Sequence, residues 1–416
     1  MGRSAIPPVL LLCAVLGCAS APPPAVLPPK AIAATPDVAD APTPEPPIEV
    51  GDWLVLGPLP GWGRRPFAPN PLAEQYLLSG EAWAPKEGDT VTWPRNGTVT
   101  WRRLDSGDDA GRALRNGFAF ATLDLPAAGR FILEGKGTTV TWVNGDPVVG
   151  DVYHKGRLRV PVRLRKGENH ILARAVRGGL QVRLVPAEGP IEFNLRDVML
   201  PHHREDVPLD SWGAIPVLNT LDRWITGASI QAGGTDHIEL MTEPIPPLAP
   251  LGVCKVPFRI RCRDGGHPVA AEDKSFELPI AVRWEGGSAT TTLRVGVARQ
   301  GQTYVETFIS GIDGSVQHYA VRPPPRIDPG WEYALILTLH GAGVGAHGQA
   351  NAYVPKDWAF VVAPTNRRSF GFDWEDWGRL DALEVLAEVQ KRYPIDRDRV
   401  LLGGHSMGDT VSGTSE

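Results

Sequence analysis

Gly404-His405-Ser406-Met407-Gly408 sets a serine between two glycines at the spacing that places a nucleophile on a sharp strand-to-helix turn. A serine hydroxyl is a weak nucleophile until a base takes its proton, and that base must itself be oriented by a third group. In this type of turn the acid and the histidine follow the serine along the chain. Only eight residues, Asp409 to Glu416, come after Gly408. The chemistry named by the motif therefore lacks its expected partners in this sequence.

The elements needed to present such a serine are readable upstream. "YALILTLHGAG" (Tyr333 to Gly343) and "WAFVVAPTN" (Trp358 to Asn366) open with continuous apolar runs, as parallel strands covered on both faces do. Between Asp376 and Tyr393, Leu380, Leu383, Leu386, Val389 and Tyr393 recur at three- and four-residue spacing, which predicts an amphipathic helix. "RVLLGG" then gives another buried strand that runs directly into the serine turn. "TFISGIDGSVQHYAV" (Thr307 to Val321) precedes the set and reads as a hairpin.

With these elements around it, the motif gains context, and residues from about 305 to 408 resemble the α/β-hydrolase superfamily, nearest to exported esterases and the prolyl oligopeptidase family. The resemblance implies that Ser406 is the catalytic nucleophile, with Gly404 and Gly408 letting neighbouring backbones approach the turn. It implies oxyanion donors from the N–H of Met407 and from the "HGAG" loop, there the N–H of Ala342, with Gly341 and Gly343 permitting the geometry. His340 and His405 are read as residues that shape the turns, because the family's base lies beyond the serine. Asp373 or Asp376 is read as a helix cap. The final "DTVSGTSE" is polar and poor in helix formers, and is read as a departure from the family through a frameshift or an assembly error. An ester or a peptide is the substrate class that the resemblance implies, with activity expected to be missing from this chain.

The other three quarters of the sequence speak of β-modules. Of 416 residues, 42% are hydrophobic and 21% charged, an ordinary globular balance with room for two or three cores. A net charge of −5 gives no reason to expect nucleic acid as a partner. Val9 to Gly17 ("VLLLCAVLG") is an apolar run of signal-peptide length, too short to span a bilayer. "VLGC" resembles a bacterial lipobox with Cys18 as the lipidated residue, while "ASA" at Ala19 to Ala21 offers cleavage to a soluble product. The lipobox is preferred, because the cysteine falls at the end of the apolar run. Proline-rich residues up to 48 read as a spacer. Cys254 and Cys262 would lie roughly 26 Å apart on one straight strand, so they are read as unpaired and buried on one strand face.

From Ile48 to Ala187 short alternating runs are separated by turn signals, Asn144-Gly145 the strongest among them, which predicts an antiparallel sandwich. This stretch resembles the galactose-binding-like jelly rolls of secreted hydrolases. Trp62, Trp93 and Trp101 are read as core residues in preference to sugar-stacking platforms. Strand-like runs with a hairpin at Glu285 to Ser288 continue to Ala298, and Pro257 and Pro279 are expected to push their strands to edges or bulges. "HHRED" (His202 to Asp206) is read as a solvated loop in preference to a metal site.

The expected architecture is multidomain, with all-β sandwich modules ahead of an incomplete α/β-hydrolase domain. Its parts are a signal peptide (1–17), a proline-rich linker (18–48), a jelly-roll-like β-sandwich (49–187), a second β-rich module (188–302) and the first half of the hydrolase domain (303–416). The expected function is an exported serine hydrolase, esterase or peptidase, inactive for want of its triad acid and histidine. The alternative is a surface-displayed β-module protein that binds glycan or another polymer without catalysis. No cofactor or metal is expected. The membrane is expected to be met only through the lipid anchor, at the bacterial cell envelope or, failing lipidation, in the periplasm or medium.

Overall fold

A computed structural model of the chain describes residues 46–60, 71–72, 84–93, 97–104, 110–151, 153–175, 177–205, 207–263, 273–367 and 374–409. Residues 1–45, which hold the expected signal peptide, Cys18 and most of the expected linker, lie outside the described residues, as do Trp62 and Asp373.

The first module is a sandwich of two antiparallel sheets. Four strands run in the order Ile48–Glu49, Gln181–Pro186, Gly129–Lys136, Leu158–Leu164. They pack on a six-stranded sheet whose centre is Phe118–Leu125 and Gly167–Ala175. Ala119 and Ala121 face the sandwich core with Phe131, Leu133 and Ile171. Phe118 and Phe120 point the other way, into a second apolar cluster with Trp93 and Trp101. That sheet is thus buried on both faces, which is why "FAFATLDL" opens without clean alternation. Trp93 and Trp101 are core residues, as read from sequence. Asn144 (φ 48°) and Gly145 (φ 100°) make the two-residue hairpin turn joining Thr138–Val143 to Asp146–Val149.

The second module also has two sheets. Ile191–Phe193, Asp210–Asn219 and Val253–Arg261 form one, and a five-stranded sheet built on Ser275–Trp284 and Gly287–Ala298 forms the other. Val217, Val256, Phe258, Leu278 and Val282 fill the space between them. Pro257 lies on an edge strand, as expected. Pro279 instead sits in an interior strand. Its missing N–H is tolerated because the neighbouring strand Ser229–Ala232 ends opposite Ile280. Cys254 and Cys262 are unpaired and face the core, where burial raises both thiol pKa values. The solvated-loop reading of "HHRED" is corrected: His203 is fully buried on a short strand paired with Gly287–Ala298, its ring edge-on to Phe276.

The last sheet is mixed. Tyr304–Ile309, Val316–Arg322 and Ala359–Ala363 pair antiparallel in turn. Ala359–Ala363, Tyr333–Leu339 and Ile395–Gly404 then run parallel, as their apolar runs suggest. Ile395–Gly404 is an edge strand with Leu401 and Leu402 exposed. The helix Trp377–Arg392 matches the expected span, yet its buried face carries Gly378, Asp381, Ala382, Val385 and Val389. Leu380 and Leu383 face solvent. The helix is rotated because the Asp381 carboxylate is drawn inward to the loop after Ala363, where it accepts from Thr365 N (3.0 Å) and Asn366 N (2.9 Å). Asp376 holds the N-cap position without a side-chain cap bond.

The expectation of an incomplete α/β-hydrolase domain is corrected by this architecture. The described chain is mostly β, a set of packed β-modules, and its fully described α-helices are three, of 4, 6 and 16 residues. No described helix is long and apolar enough to cross a membrane.

Candidate functional site

The serine turn is present as a local structure. The strand Ile395–Gly404 delivers Ser406 at φ 56°, a left-handed conformation that is unusual for a residue with a side chain. A Cβ at Gly404 would collide with the Gly408 carbonyl, so the turn can close only on glycine. The "HGAG" loop lies alongside. A Cβ on Gly341 would come within 3.0 Å of the His405 carbonyl oxygen and 3.3 Å of Ser406 Cβ. Gly343 follows at φ 84° and Ala342 is exposed. Ser406, Met407, Gly408, Gly341, Ala342 and Gly343 are therefore brought to one place.

A catalytic base is not brought there. Among the described residues no histidine ring is hydrogen-bonded to Ser406. His340, wholly buried, has Nδ1 at 3.0 Å from Gly341 O and Nε2 at 2.9 Å from Thr365 O. Its ring stands edge-on to Trp374 at 4.9 Å, and Trp374 Nε1 donates to its backbone carbonyl at 3.0 Å. That residue bolts two loops together, as expected of a structural histidine. His405 is exposed beside the serine, and among the described residues no carboxylate is hydrogen-bonded to its ring. The structure thus sets Ser406, read as nucleophile, beside Met407 and Ala342, read as its donors, with no histidine ring hydrogen-bonded to the serine among the described residues.

A second site was not anticipated. On the outer face of the four-stranded sheet, one end is covered by the second module, and Ile132 and Pro161 are buried there. The other end opens into a groove of about 320 Å³, lined by Glu134, Lys136, Lys155, Gln181, Arg183 and Arg196 among others. The strand register sets these side chains, because Arg183 lies opposite Glu134 and Gln181 opposite Lys136. Alternate residues of one strand share a face, so all four project outward together. Arg196 arrives from the 3-10 turn Leu195–Asp197 and meets Glu134 Oε2 at 3.0 Å. The other oxygen of Glu134 meets Arg159 Nε at 3.1 Å. Arg159 in turn holds Glu192 (3.3 Å) and the Phe193 carbonyl (2.8 Å), which ties the groove wall to the second module.

Lys155 stands on a loop fixed by Asp151, whose carboxylate accepts from Lys155 N (2.9 Å) and Gly156 N (2.5 Å). Its Nζ donates to Gly343 O at 2.9 Å, so the groove adjoins the glycine loop beside Ser406. Gly156, at φ 67°, leaves the space taken by the Lys136 chain, for a Cβ there would lie 3.0 Å from Lys136 Cε. The groove is thus built from four parts of the sequence, and its charged groups are pre-set by one another. Among the described residues there is no cluster of three or more groups suited to a metal ion.

No family model matches the sequence, and no curated protein matches it. Solved structures that are similar include the exo-chitosanase of Amycolatopsis orientalis, at 12% identity and TM-score 0.32 over 66% of this chain and 36% of that one. A glycoside hydrolase family 2 β-galacturonidase from Eisenbergiella tayi follows at 15% identity and TM-score 0.30, over 53% of this chain and 42% of that one. A thermostable esterase shows 17% identity and TM-score 0.22, over 51% of this chain and 71% of that one. The chain spans well under two thirds of the two glycosidases, and at these scores none of the likenesses carries a functional inference. The serine-hydrolase recognition, with its prolyl oligopeptidase kinship and its ester or peptide chemistry, is corrected by the fold: the described chain is mostly β in place of an α/β-hydrolase domain, and among the described residues no histidine ring is hydrogen-bonded to Ser406. The similar solved structures named here are mainly glycosidases.

Proposed function

We propose that the chain is a non-catalytic, surface-displayed β-module protein that binds a glycan in the groove between its first two modules. The carrying observation is the groove itself, whose polar groups are held in place before any ligand arrives. Glu134 is fixed between Arg159 and Arg196, and Gln181 and Arg183 are fixed by sheet register. Rigid, converging donors and acceptors suit a polyhydroxylated ligand, which loses affinity whenever the site must first be ordered. The volume, about 320 Å³, lies at the small end of ligand pockets and has room for roughly one or two sugar rings. The reading rests on this groove and not on the glycosidases of similar outline.

The exported full chain, applied to a panel of immobilised cell-wall and extracellular polysaccharides, is expected to be retained on at least one. It is expected to leave a chromogenic short-chain ester unhydrolysed at every pH. Retention on none of the panel, or turnover of the ester, would overturn the reading.

Display is proposed to run through a lipid on Cys18, with the proline-rich residues up to 48 as the spacer. Mass spectrometry of the exported chain is expected to find an acylated cysteine at its N-terminus. Cys18→Ser is expected to move the protein from the membrane fraction to the soluble fraction. An unmodified N-terminus beginning after Ala21 would rule this anchor out.

A further inference from the structure

We infer that the chain carries a second contact for polysaccharide, the exposed tryptophans Trp331 and Trp358, on which a neutral sugar chain stacks. This rests on the reading that the chain binds glycan, but it concerns a different surface from the groove. Trp331 is 69% exposed and Trp358 46%. A single apolar side chain in solvent needs no explanation, whereas two large rings beside one another mark a contact surface. The last sheet brings them together. Trp331 comes just before Tyr333–Leu339 and Trp358 just before Ala359–Ala363, two strands that run parallel side by side. Ala334 N donates to Trp358 O at 3.0 Å, which sets Trp358 next to Tyr333, two residues along from Trp331. Strand spacing and chain reach hold the two Cα atoms within about 12 Å of each other. Val354, exposed in the loop that leads to Trp358, adds apolar surface at the same end.

Both rings rise from backbone that is already tied down, so little order is lost on binding. Trp331 N donates to Asp328 O at 3.3 Å, and Asp328 N donates to the hydroxyl of buried Tyr333 at 2.9 Å. Arg399 Nη2 donates to Glu332 O at 2.8 Å. Among the described residues no aromatic ring or guanidinium group is stacked on either indole. The charges beside the rings select the occupant. Glu332 and Asp357 are exposed next to them, Lys356 is half-buried, and Arg326 is paired with Asp328 at 2.6 Å. Two carboxylates against one ammonium group repel an anionic lipid surface or an acidic polymer, and they accept hydrogen bonds from hydroxyls. Aromatic faces flanked by acceptors fit a neutral sugar chain, which presents C–H bonds on its ring faces and hydroxyls at its edges. The groove is different in kind, because among the described residues no aromatic ring lines it. It also lies at the other end of the sheet: its Lys155 reaches Gly343, beyond the last residue of Tyr333–Leu339. Roughly 20 Å of strand separates the two surfaces, so only a long polymer meets both, and two linked contacts hold it more firmly than either alone.

The test is a set of depletion isotherms of the exported full chain on insoluble cellulose and chitin, with a polygalacturonate gel as the acidic comparison. Trp331→Ala and Trp358→Ala are each expected to weaken retention on a neutral polymer about five- to tenfold, and Trp331→Tyr to keep most of it. Trp224→Ala removes a ring that is 53% exposed on the second module and is expected to change nothing. Thermal melts of all four variants should match the parent, since each ring lies in solvent. Gln181→Ala, in the groove, is expected to weaken retention independently. A Trp331→Ala/Trp358→Ala double variant retained as firmly as the parent would overturn the tryptophan contact and leave the groove reading standing. Loss of retention in that double variant, with Gln181→Ala retained in full, would overturn the groove and keep the tryptophan contact. Firmer retention on polygalacturonate than on either neutral polymer would overturn the neutral selectivity. A dimer in sedimentation that the double variant breaks would give the surface to a second copy and overturn the proposal. Retention of the parent on no polysaccharide would overturn both readings.

Discussion

Replacing Asp381 with leucine is expected to lower the stability of the C-terminal layer by about 3–5 kcal/mol, the cost of breaking a buried charge pair from one side. Asp381 is wholly buried in the helix Trp377–Arg392, and its Oδ1 lies 3.3 Å from Arg367 Nε. Its Oδ2 accepts from the backbone N–H of Thr365 and of Asn366, and from the Thr365 hydroxyl at 3.3 Å. Burial pushes the carboxyl pKa up, while Arg367 and the backbone donors pull it back. Asn366 (φ 57°) and Arg367 (φ 59°) are consecutive non-glycine residues in the left-handed region. Each costs about 1 kcal/mol or more, and the carboxylate is what holds that loop in shape. Leucine would strand two buried N–H groups and one face of a guanidinium that is only 11% exposed. Arg367 keeps Glu384 at 3.0 Å and Asp313 at 3.3 Å, which limits the loss. Asp381→Asn keeps an acceptor and is expected to cost about half as much. Urea titration should show a lower midpoint with an unchanged slope for both variants. A leucine variant within about 0.5 kcal/mol of the parent would remove Asp381 from this role.

Asp381 also shows where pattern reading stops. A helix from Asp376 to Tyr393 was legible from the three- and four-residue recurrence of leucines, and the observed span differs by a single residue at each end. The buried face was not legible. Counting apolar residues puts Leu380 and Leu383 inward, but the inward face is set by a carboxylate that has three donors to satisfy. An apolar stripe says which face could be buried, whereas an unsatisfied polar group decides which one must be. Likewise Asn144-Gly145 announced its hairpin, because few residues tolerate two left-handed positions in succession. His203 gave no such notice. Whether a histidine is in solvent or packed on Phe276 depends on a long-range pairing with Val297 that no local signal encodes.

The two candidate sites differ in the same way. The serine turn is local, so Gly404, Ser406, Gly408 and the Gly341 loop could be named from spacing, and the structure puts them side by side. A local motif carries no information on whether a base reaches it, and here none does among the described residues. The groove is the opposite case. Its lysines, arginines and glutamate come from strands about fifty residues apart, from a loop and from a 3-10 turn, each with ordinary sequence. One signal was available. "EGK" at Glu134 to Lys136 and "QVR" at Gln181 to Arg183 both place polar side chains on alternate positions of a strand, which marks an outward face. Their meeting required the register.

Acid should separate the modules before it melts their cores, because two histidines are held neutral where modules meet. His318, on Val316–Arg322, has an enclosed Nδ1 without a hydrogen-bond partner. Its pKa is lowered to about 4, by burial first and then by repulsion from Lys255 and Arg157, with Asp197 opposing them. Those neighbours belong to the second and first modules, where Lys255 Nζ meets Asp197 at 2.8 Å. His202 precedes the strand His203–Arg204, and its N–H donates to Val305 O across the junction at 2.9 Å. Its pKa is also lowered to about 4, by burial first and then by His347, whose ring lies 5.7 Å away. The sign follows from linkage. The unfolded chain takes up a proton on each ring near pH 6.5, and the folded chain resists it until about pH 4. Stability is therefore whole above pH 6.5, declines as pH falls, and reaches its floor once the folded rings are protonated. Each ring forfeits about 2–3 kcal/mol over that window, the lower figure allowing for partial exposure to solvent. Together they approach the whole stability of a marginal domain, about 5 kcal/mol. Stability measured by urea between pH 7 and pH 4 should thus fall with a slope approaching two protons. His318→Gln and His202→Gln should each remove about one proton from that slope, and a pH profile unchanged in either variant would place the acid sensitivity elsewhere.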